Sequence, residues 1–227
     1  PMKPITSSKG APYIMELLTT GITFFQKGGI VMYALLLCSL FVGSIAIERA
    51  LYFRRMDSGR AFAQDFYLAL ANGRWQQAEK LAEDGRGALA DILFAVITRK
   101  PEARRNPAAY MEVQSGIALA KLRKRLYYLS VIVTMAPLLG LLGTISGMIT
   151  SFSVFNLESG QPTAITGGVG EALIATAMGL CVAIIALTVH AYFSQRIENI
   201  VTDMEQCFSM VETAEAGDIH AVKEEAA

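Results

Sequence analysis

The sequence predicts an all-α membrane protein with three transmembrane helices, whose long second and third helices extend into a cytoplasmic helical bundle. Three observations predict this fold class. The chain of 227 residues is 53% hydrophobic but only 18% charged, which is more apolar than an ordinary globular domain. Three nearly uncharged stretches are each long enough to cross a bilayer. The remaining segments are mixed in charge and carry apolar residues at helical spacing.

The three predicted spans lie in stretches that are almost free of charge. Residues 28–47 form the first span and contain no charged side chain. Residues 126–155 form the second, and they lie within a longer uncharged stretch, Leu126–Leu157. Residues 168–195 form the third, which carries a single carboxylate, Glu171. Since about 20 apolar residues cross the hydrocarbon core, each stretch is sufficient for one helix.

Four further segments flank and join these spans. They are an N-terminal arm (1–27), a cytoplasmic helical domain (48–125), a short outer loop (156–167) and a C-terminal helix with its tail (196–227). Within the arm, Tyr13–Gln26 is amphipathic enough for an interfacial helix, and a simple lead-in turn is the alternative.

Lysines and arginines near the span ends predict the orientation. Arg54 and Arg55 follow the first span, and Lys121, Arg123 and Arg125 precede the second. The loop between the second and third spans contains neither lysine nor arginine. Because basic residues concentrate on the cytoplasmic side, we expect the N-terminus outside and the C-terminus in the cytoplasm.

Several function classes are disfavoured by composition. The formal net charge is zero, so no electrostatic argument favours nucleic acid. The three cysteines and two histidines are too scattered to predict a metal site or a disulfide framework. The cytoplasmic domain carries no nucleotide fingerprint and no pair of catalytic acids. We therefore expect no cofactor, no metal and no enzymatic activity.

Small residues recur on one side of the second and third spans. Gly140, Gly143 and Gly147 share a narrow stripe on the second span, and Ala175 and Gly179 share one on the third. Lipid provides no hydrophobic force between helices, so close packing in membranes relies on small side chains. These five residues are the predicted helix-packing positions.

Glu171 is an unusual residue for an apolar helix, and two interpretations are open. In the first, it occupies the first turn of the third span, where a carboxylate suits the helix dipole and still touches water. In the second, it faces a polar cavity, because an acid facing lipid is costly. Three spans cannot enclose a cavity, so the second interpretation requires several copies around an axis or a partner subunit.

The apolar residues beyond the third span predict a packing seam. Their spacing alternates between four and three residues, as expected for a helix packed against another helix. The predicted seam consists of Ile197, Val201, Met204, Phe208 and Val211.

Two motifs on successive spans resemble a known family. APLLGLLGTISGMITSF (Ala136–Phe152) and GEALIATAMGL (Gly170–Leu180) resemble the paired signature of the MotA/TolQ/ExbB proton channel family. The three-span layout and IERALYFRR (Ile47–Arg55) resemble the ExbB/TolQ branch. Family members often have a proline where this chain has Ile185, which leaves the subfamily open.

The resemblance implies a motor subunit of the bacterial inner membrane that couples the proton motive force to work at the outer membrane. It implies a homopentamer around a dimer of a single-span ExbD/TolR-like partner, with a TonB/TolA-like protein and membrane lipids as further contacts. The family's polar pore positions fall on Thr144, Glu171 and Thr176. The proton-binding aspartate belongs to the partner. TonB-type transport and envelope maintenance are both compatible with this resemblance.

Two alternatives come from other functional classes. A non-conducting scaffold subunit would use the same small-residue stripes. An intramembrane serine protease is suggested by GTISG, which contains Ser146, together with His190 on another span. However, Thr144 occupies the position where that nucleophile motif needs glycine, and three spans are too few for such an enzyme.

Overall fold

The computed structural model describes residues 29–157 and 162–225. The predicted arm over residues 1–27, including the candidate interfacial helix Tyr13–Gln26, lies outside the described residues. In the described ranges every regular element is an α-helix. The helices are α1 (Gly29–Met56), α2 (Arg60–Ala71), α3 (Trp75–Asp84), α4 (Ala88–Ile97), α5 (Pro101–Arg104), α6 (Pro107–Arg123), α7 (Leu126–Leu157) and α8 (Pro162–Glu225).

Three segments are long and apolar enough to cross a membrane. They begin in α1, in α6 and near the N-terminal end of α8, and the helical stretches that contain them are Gly29–Ala71, Pro107–Ser153 and Ala172–Ala214. The all-helical class and its three candidate membrane helices therefore agree with the sequence analysis. The order of the helices also agrees, since the short helices α2–α5 lie between the first and second long segments.

Two helix boundaries differ from the sequence analysis. α8 begins at Pro162, inside the stretch assigned to the outer loop. Proline suits the first turn of a helix, because its missing N–H has no partner there in any case. The second span ends later than expected, since α7 extends from Leu126 to Leu157. Residues 124 and 125 separate α7 from α6.

The chain divides into two compact units, and the first contains most of the apolar helices. Of the described residues, it contains 29–44, 129–157 and 162–188. Its interior is formed by small and medium side chains, among them Leu35, Ala136 and Ala175. Many of its large apolar side chains point outward instead, as expected for a surface facing lipid or another subunit. Examples are Leu138, Ile149, Leu173, Ile184 and Ile185.

The second unit is a helical bundle made of Ile45–Tyr128 and Val189–Ala227. Its central element is α4, in which seven of the ten residues are buried. Phe66, Leu122 and Met204 complete the core from α2, α6 and α8. This packing explains why the short helices persist, since isolated helices of this length are marginal in water.

The C-terminal part of α8 packs with a different phase from the predicted seam. Ile197, Met204 and Val211 are buried as predicted, whereas Val201 and Phe208 are only half-buried. The structure buries the preceding residue in both cases, so that the seam is Ile197, Ile200, Met204, Cys207 and Val211. Both phases have apolar residues available, and the neighbouring helices of the bundle decide between them. The burial of Cys207 reflects its behaviour as a small hydrophobe.

Candidate functional site

Helices α7 and α8 approach each other backbone to backbone in the first unit. A Cβ atom added to Gly140 would lie 2.9 Å from Thr176 Cα and 3.0 Å from the carbonyl oxygen of Ala175. A Cβ atom added to Gly179 would lie 2.6 Å from the carbonyl oxygen of Ala136. These distances are too short for any side chain, so glycine is required at both positions.

The close contact continues toward the C-terminal half of α7. A Cβ atom added to Gly143 would lie 2.5 Å from Ala175 Cβ, and one added to Gly147 would lie 2.8 Å from Ala172 Cβ. The structure thus brings all five predicted packing residues into one contact within a single chain, which we call the glycine seam. The seam is defined by Gly140, Gly143, Gly147, Ala175 and Gly179.

Thr176 is part of this seam rather than separate from it. Its Oγ1 hydroxyl donates a hydrogen bond to the carbonyl oxygen of Gly140, at 3.0 Å. The bond links α8 to α7 at one of the points where their backbones approach closely. Hydrogen bonds between membrane helices contribute about 0.6 kcal/mol on average and up to about 1.7 kcal/mol.

Thr144 has a different environment, although it follows Gly143 directly. Its hydroxyl donates to the carbonyl oxygen of Leu141 in its own helix, at 2.7 Å. The side chain is half-buried. The hydroxyl therefore satisfies its donor locally and makes no hydrogen bond to another helix among the described residues.

Glu171 lies in α8, and its side chain is outside the described part of the structure. The position of its backbone is informative nevertheless. Because α8 begins at Pro162, Glu171 is more than two turns inside the helix. The helix dipole acts mainly within the first turn, so the dipole does not account for a carboxylate at this position.

The structure also shows a buried charge, Arg49, that the sequence analysis contained only as part of the motif Ile47–Arg55. Arg49 is only 3% exposed, and its guanidinium donates to the carbonyl oxygens of Lys121 and Leu122, at 3.1 and 3.3 Å. A signal for this burial was present in the sequence. Arg49 continues the spacing of the buried residues Ile45 and Phe53, so it occupies a core position of the helix.

A second charged group lies where α1, α2 and α8 meet in the second unit. Arg196 donates to Asp57 Oδ2 at 2.7 Å. A small cavity of about 10 Å³, lined by Asp57, Ser58 and Asp203 among others, has space for roughly one water. Burial raises the pKa of the Asp203 carboxyl, Arg60 opposes this effect, and the Asp57 carboxylate adds to it.

Cys207 lies in the same unit and is fully buried in the corrected seam. Its thiol donates to the carbonyl oxygen of Ala63 at 3.6 Å. Burial raises the pKa of this thiol to about 12, and the neighbouring Asp203 contributes to the increase. The thiol is therefore protonated at neutral pH and serves packing rather than chemistry.

The comparison with known proteins identifies the family. Residues 86–206 match the model of the MotA/TolQ/ExbB proton channel family. An ExbB-like biopolymer transport protein of Synechocystis is 35% identical over 170 residues, which cover 73% of this chain and 67% of the relative. The chain belongs to this family. The predicted family and its ExbB/TolQ branch are thus confirmed.

Other relatives give the same assignment. A second ExbB-like biopolymer transport protein of Synechocystis is 32% identical over 166 residues, 71% of this chain and 79% of the relative. The Tol-Pal system protein TolQ of Pseudomonas aeruginosa is 35% identical over 82 residues, 36% of each chain. Together with its three apolar helices, the family assignment makes this chain a multi-pass membrane protein.

The matched range covers only part of the features described above. It includes Thr144, Glu171, Thr176 and the whole glycine seam. It begins after α1, so that Arg49 and its helix lie outside the match. The family is one of proton channels and not one of proteases, which removes the main argument for assigning Ser146 and His190 to catalysis.

Proposed function

We propose that this chain is the stator subunit of a proton-driven motor in the bacterial inner membrane, with its N-terminus in the periplasm. Five copies form a ring around a dimer of a single-span ExbD/TolR-like partner. Proton flow through the ring drives work at the outer membrane, passed on by a TonB/TolA-like protein. Relatives named for biopolymer transport and for the Tol-Pal system support both TonB-type transport and envelope maintenance as the work performed.

The glycine seam is the observation that carries this proposal. Backbone contact and the Thr176–Gly140 hydrogen bond join α7 and α8 into one stiff element within a chain. The large apolar side chains point away from the seam, as at Leu138 and Ile184. A ring whose centre holds a moving partner needs wall elements of this kind, since a flexible wall would absorb the displacement.

Thr144, Glu171 and Thr176 form the ion pathway in this proposal. Each threonine hydroxyl donates its proton to a backbone carbonyl. A hydroxyl has one donor and two acceptor lone pairs, so each oxygen remains able to accept a hydrogen bond. Acceptors along a pathway stabilise a hydrated proton or the protonated acid of a partner. Glu171 adds negative charge, which concentrates cations near it.

Reconstitution tests this proposal. The chain and its partner are placed in lipid vesicles, proton uptake is followed with a pH-sensitive dye, and the complex is weighed by native mass spectrometry. We expect five copies of this chain with two of the partner, and proton uptake that requires both proteins. A complex of this composition without proton uptake would instead support the non-conducting scaffold.

A further inference from the structure

Arg49 carries a buried charge that the proposed ion pathway does not use. Burying a guanidinium is costly unless its charge is paired and its donors are satisfied. Arg49 meets both conditions. Its Nη2 and Nε atoms donate to the two oxygens of Glu48, at 2.7 and 3.1 Å. Glu48 also pairs with Arg125 at 2.9 Å, and Arg49 stacks over the ring of Tyr52 at 4.7 Å.

The remaining donor of Arg49 points at an interrupted helix. Nη1 donates to the carbonyl oxygens of Lys121 and Leu122, in the last turn of α6. In an uninterrupted α-helix these oxygens accept from the amides of residues 125 and 126. The structure interrupts the helix at residues 124 and 125, the point where these amides would be used.

Nothing in the local sequence accounts for this interruption. Breaks in helices arise from proline, from glycine or serine pairs, from bulges, or from a side chain inserted into the hydrogen-bond ladder. The residues at the break are Lys124 and Arg125, and both are good helix formers. Lys124 even keeps helical backbone angles, with φ −48° and ψ −36°. The backbone at residues 124 and 125 is a turn rather than a π-bulge. An inserted side chain is the remaining cause, and Arg49 is the side chain at that place.

We infer that Arg49 is a positioning residue that holds this break by taking over the carbonyl of Lys121 from the Arg125 amide. It thereby fixes the residue at which α7 begins. α7 begins at Leu126, so the break sets the phase of the first residues of α7 in the second unit. A shift of one residue turns a helix by about 100°. This inference does not depend on the proposed function.

Amide hydrogen exchange of the full chain in lipid nanodiscs tests this inference. In Arg49→Met, the carbonyl of Lys121 becomes free to accept from the Arg125 amide, and the ladder closes. We expect exchange of that amide to slow at least tenfold. If Arg49→Met only destabilised the bundle, the Arg125 amide would exchange faster instead of more slowly. Unchanged or faster exchange at Arg125 overturns the inference.

Two further variants keep the test decisive. Arg55→Met is the matched control, since Arg55 is exposed on the same helix, and it should leave the Arg125 amide unchanged. If the Arg49→Met variant does not fold, Arg49→Lys takes its place as the test. A lysine ammonium lacks the planar set of donors that binds two carbonyls and a carboxylate together. Exchange of the Arg125 amide should therefore slow at least threefold. No slowing in that variant counts against the inference, and neither result depends on proton uptake or on a partner.

Discussion

Thr176 and Gly140 are joined across two helices by a close backbone approach and by a hydrogen bond at the same point. The Thr176 hydroxyl donates to the Gly140 carbonyl at 3.0 Å, and a Cβ atom on Gly140 would lie 2.9 Å from Thr176 Cα. The absence of a side chain on one helix therefore allows the polar bond from the other. This relationship makes Thr176 both a packing residue and a candidate for the ion pathway.

Thr176→Val removes the cross-helix hydrogen bond while nearly preserving side-chain volume. We expect a loss of about 0.6–1.7 kcal/mol in unfolding free energy, the range for such bonds in membranes. Thr144→Val is the matched comparison, since its hydroxyl bonds only within its own helix, and it should cost less. Both variants should impair proton-driven work. Denaturant titration in micelles measures the unfolding free energies. Equal losses in the two variants would contradict a stabilising role for the Thr176–Gly140 hydrogen bond.

Gly147→Leu tests the seam by overpacking. The new side chain would meet Ala172, because a Cβ atom added to Gly147 would lie 2.8 Å from Ala172 Cβ. Overpacking of this kind costs about 1–3 kcal/mol, and we expect both chain stability and pentamer formation to fall. Gly43→Leu is the control, because a Cβ there meets no atom within 4 Å. Normal pentamers from Gly147→Leu, seen by native mass spectrometry, would refute the seam.

Asp203→Asn should change the pH dependence of the second unit. The pKa of Asp203 is raised by burial above its ordinary value of 3.8. A raised carboxyl pKa gives stability that is present below the ordinary value and lost as pH rises through the folded value. The asparagine variant should therefore be more stable than wild type at pH 7 and equal to it below about pH 3.8. Thermal unfolding across this range measures the difference.

The exposed Asp65 provides the control for that experiment. Asp65→Asn should shift the unfolding temperature little at any pH. If Asp203→Asn changes the unfolding temperature as little as Asp65→Asn does, then burial does not raise the pKa of the Asp203 carboxyl in the folded protein.

Cys207 should resist thiol reagents in the folded protein. Its pKa of about 12 leaves very little of the thiolate, which is the reactive form. We expect maleimide to label Cys207 at least a hundredfold more slowly than a cysteine placed at the exposed neighbour by Ser209→Cys. Both rates are measured in a background in which Cys38 and Cys181 are replaced by serine. Similar rates would show that this part of α8 opens readily.

Periodicity predicted those features that depend on residues close together in the chain. The small-residue stripes led to the glycine seam, because a helix places residues three and four apart on one face. The uncharged stretches led to the three apolar helices, because each stretch is long enough to cross a bilayer as a helix. The two motifs that resemble the family, Ala136–Phe152 and Gly170–Leu180, lie within the residues 86–206 that the family model matches.

Features that depend on distant residues could not be predicted in this way. The break at residues 124 and 125 follows from Arg49, which is more than 70 positions away in the chain. The phase of the C-terminal seam depends on which neighbours cover it, since Ile200 and Val201 are both apolar. The early start of α8 at Pro162 follows a stretch whose composition suits a loop equally well.

Proton uptake by vesicles that contain this chain and its partner, compared between wild type, Glu171→Gln and Glu171→Ala, tests the central claim most directly. Glutamine keeps the shape and hydrogen-bonding capacity of Glu171 but removes its charge. The proposed function predicts intact pentamers in both variants, lower uptake in the glutamine variant and still lower uptake in the alanine variant. Wild-type uptake in both variants would contradict a role for this carboxylate in the pathway. No uptake by the wild-type complex would contradict the proton-driven motor itself.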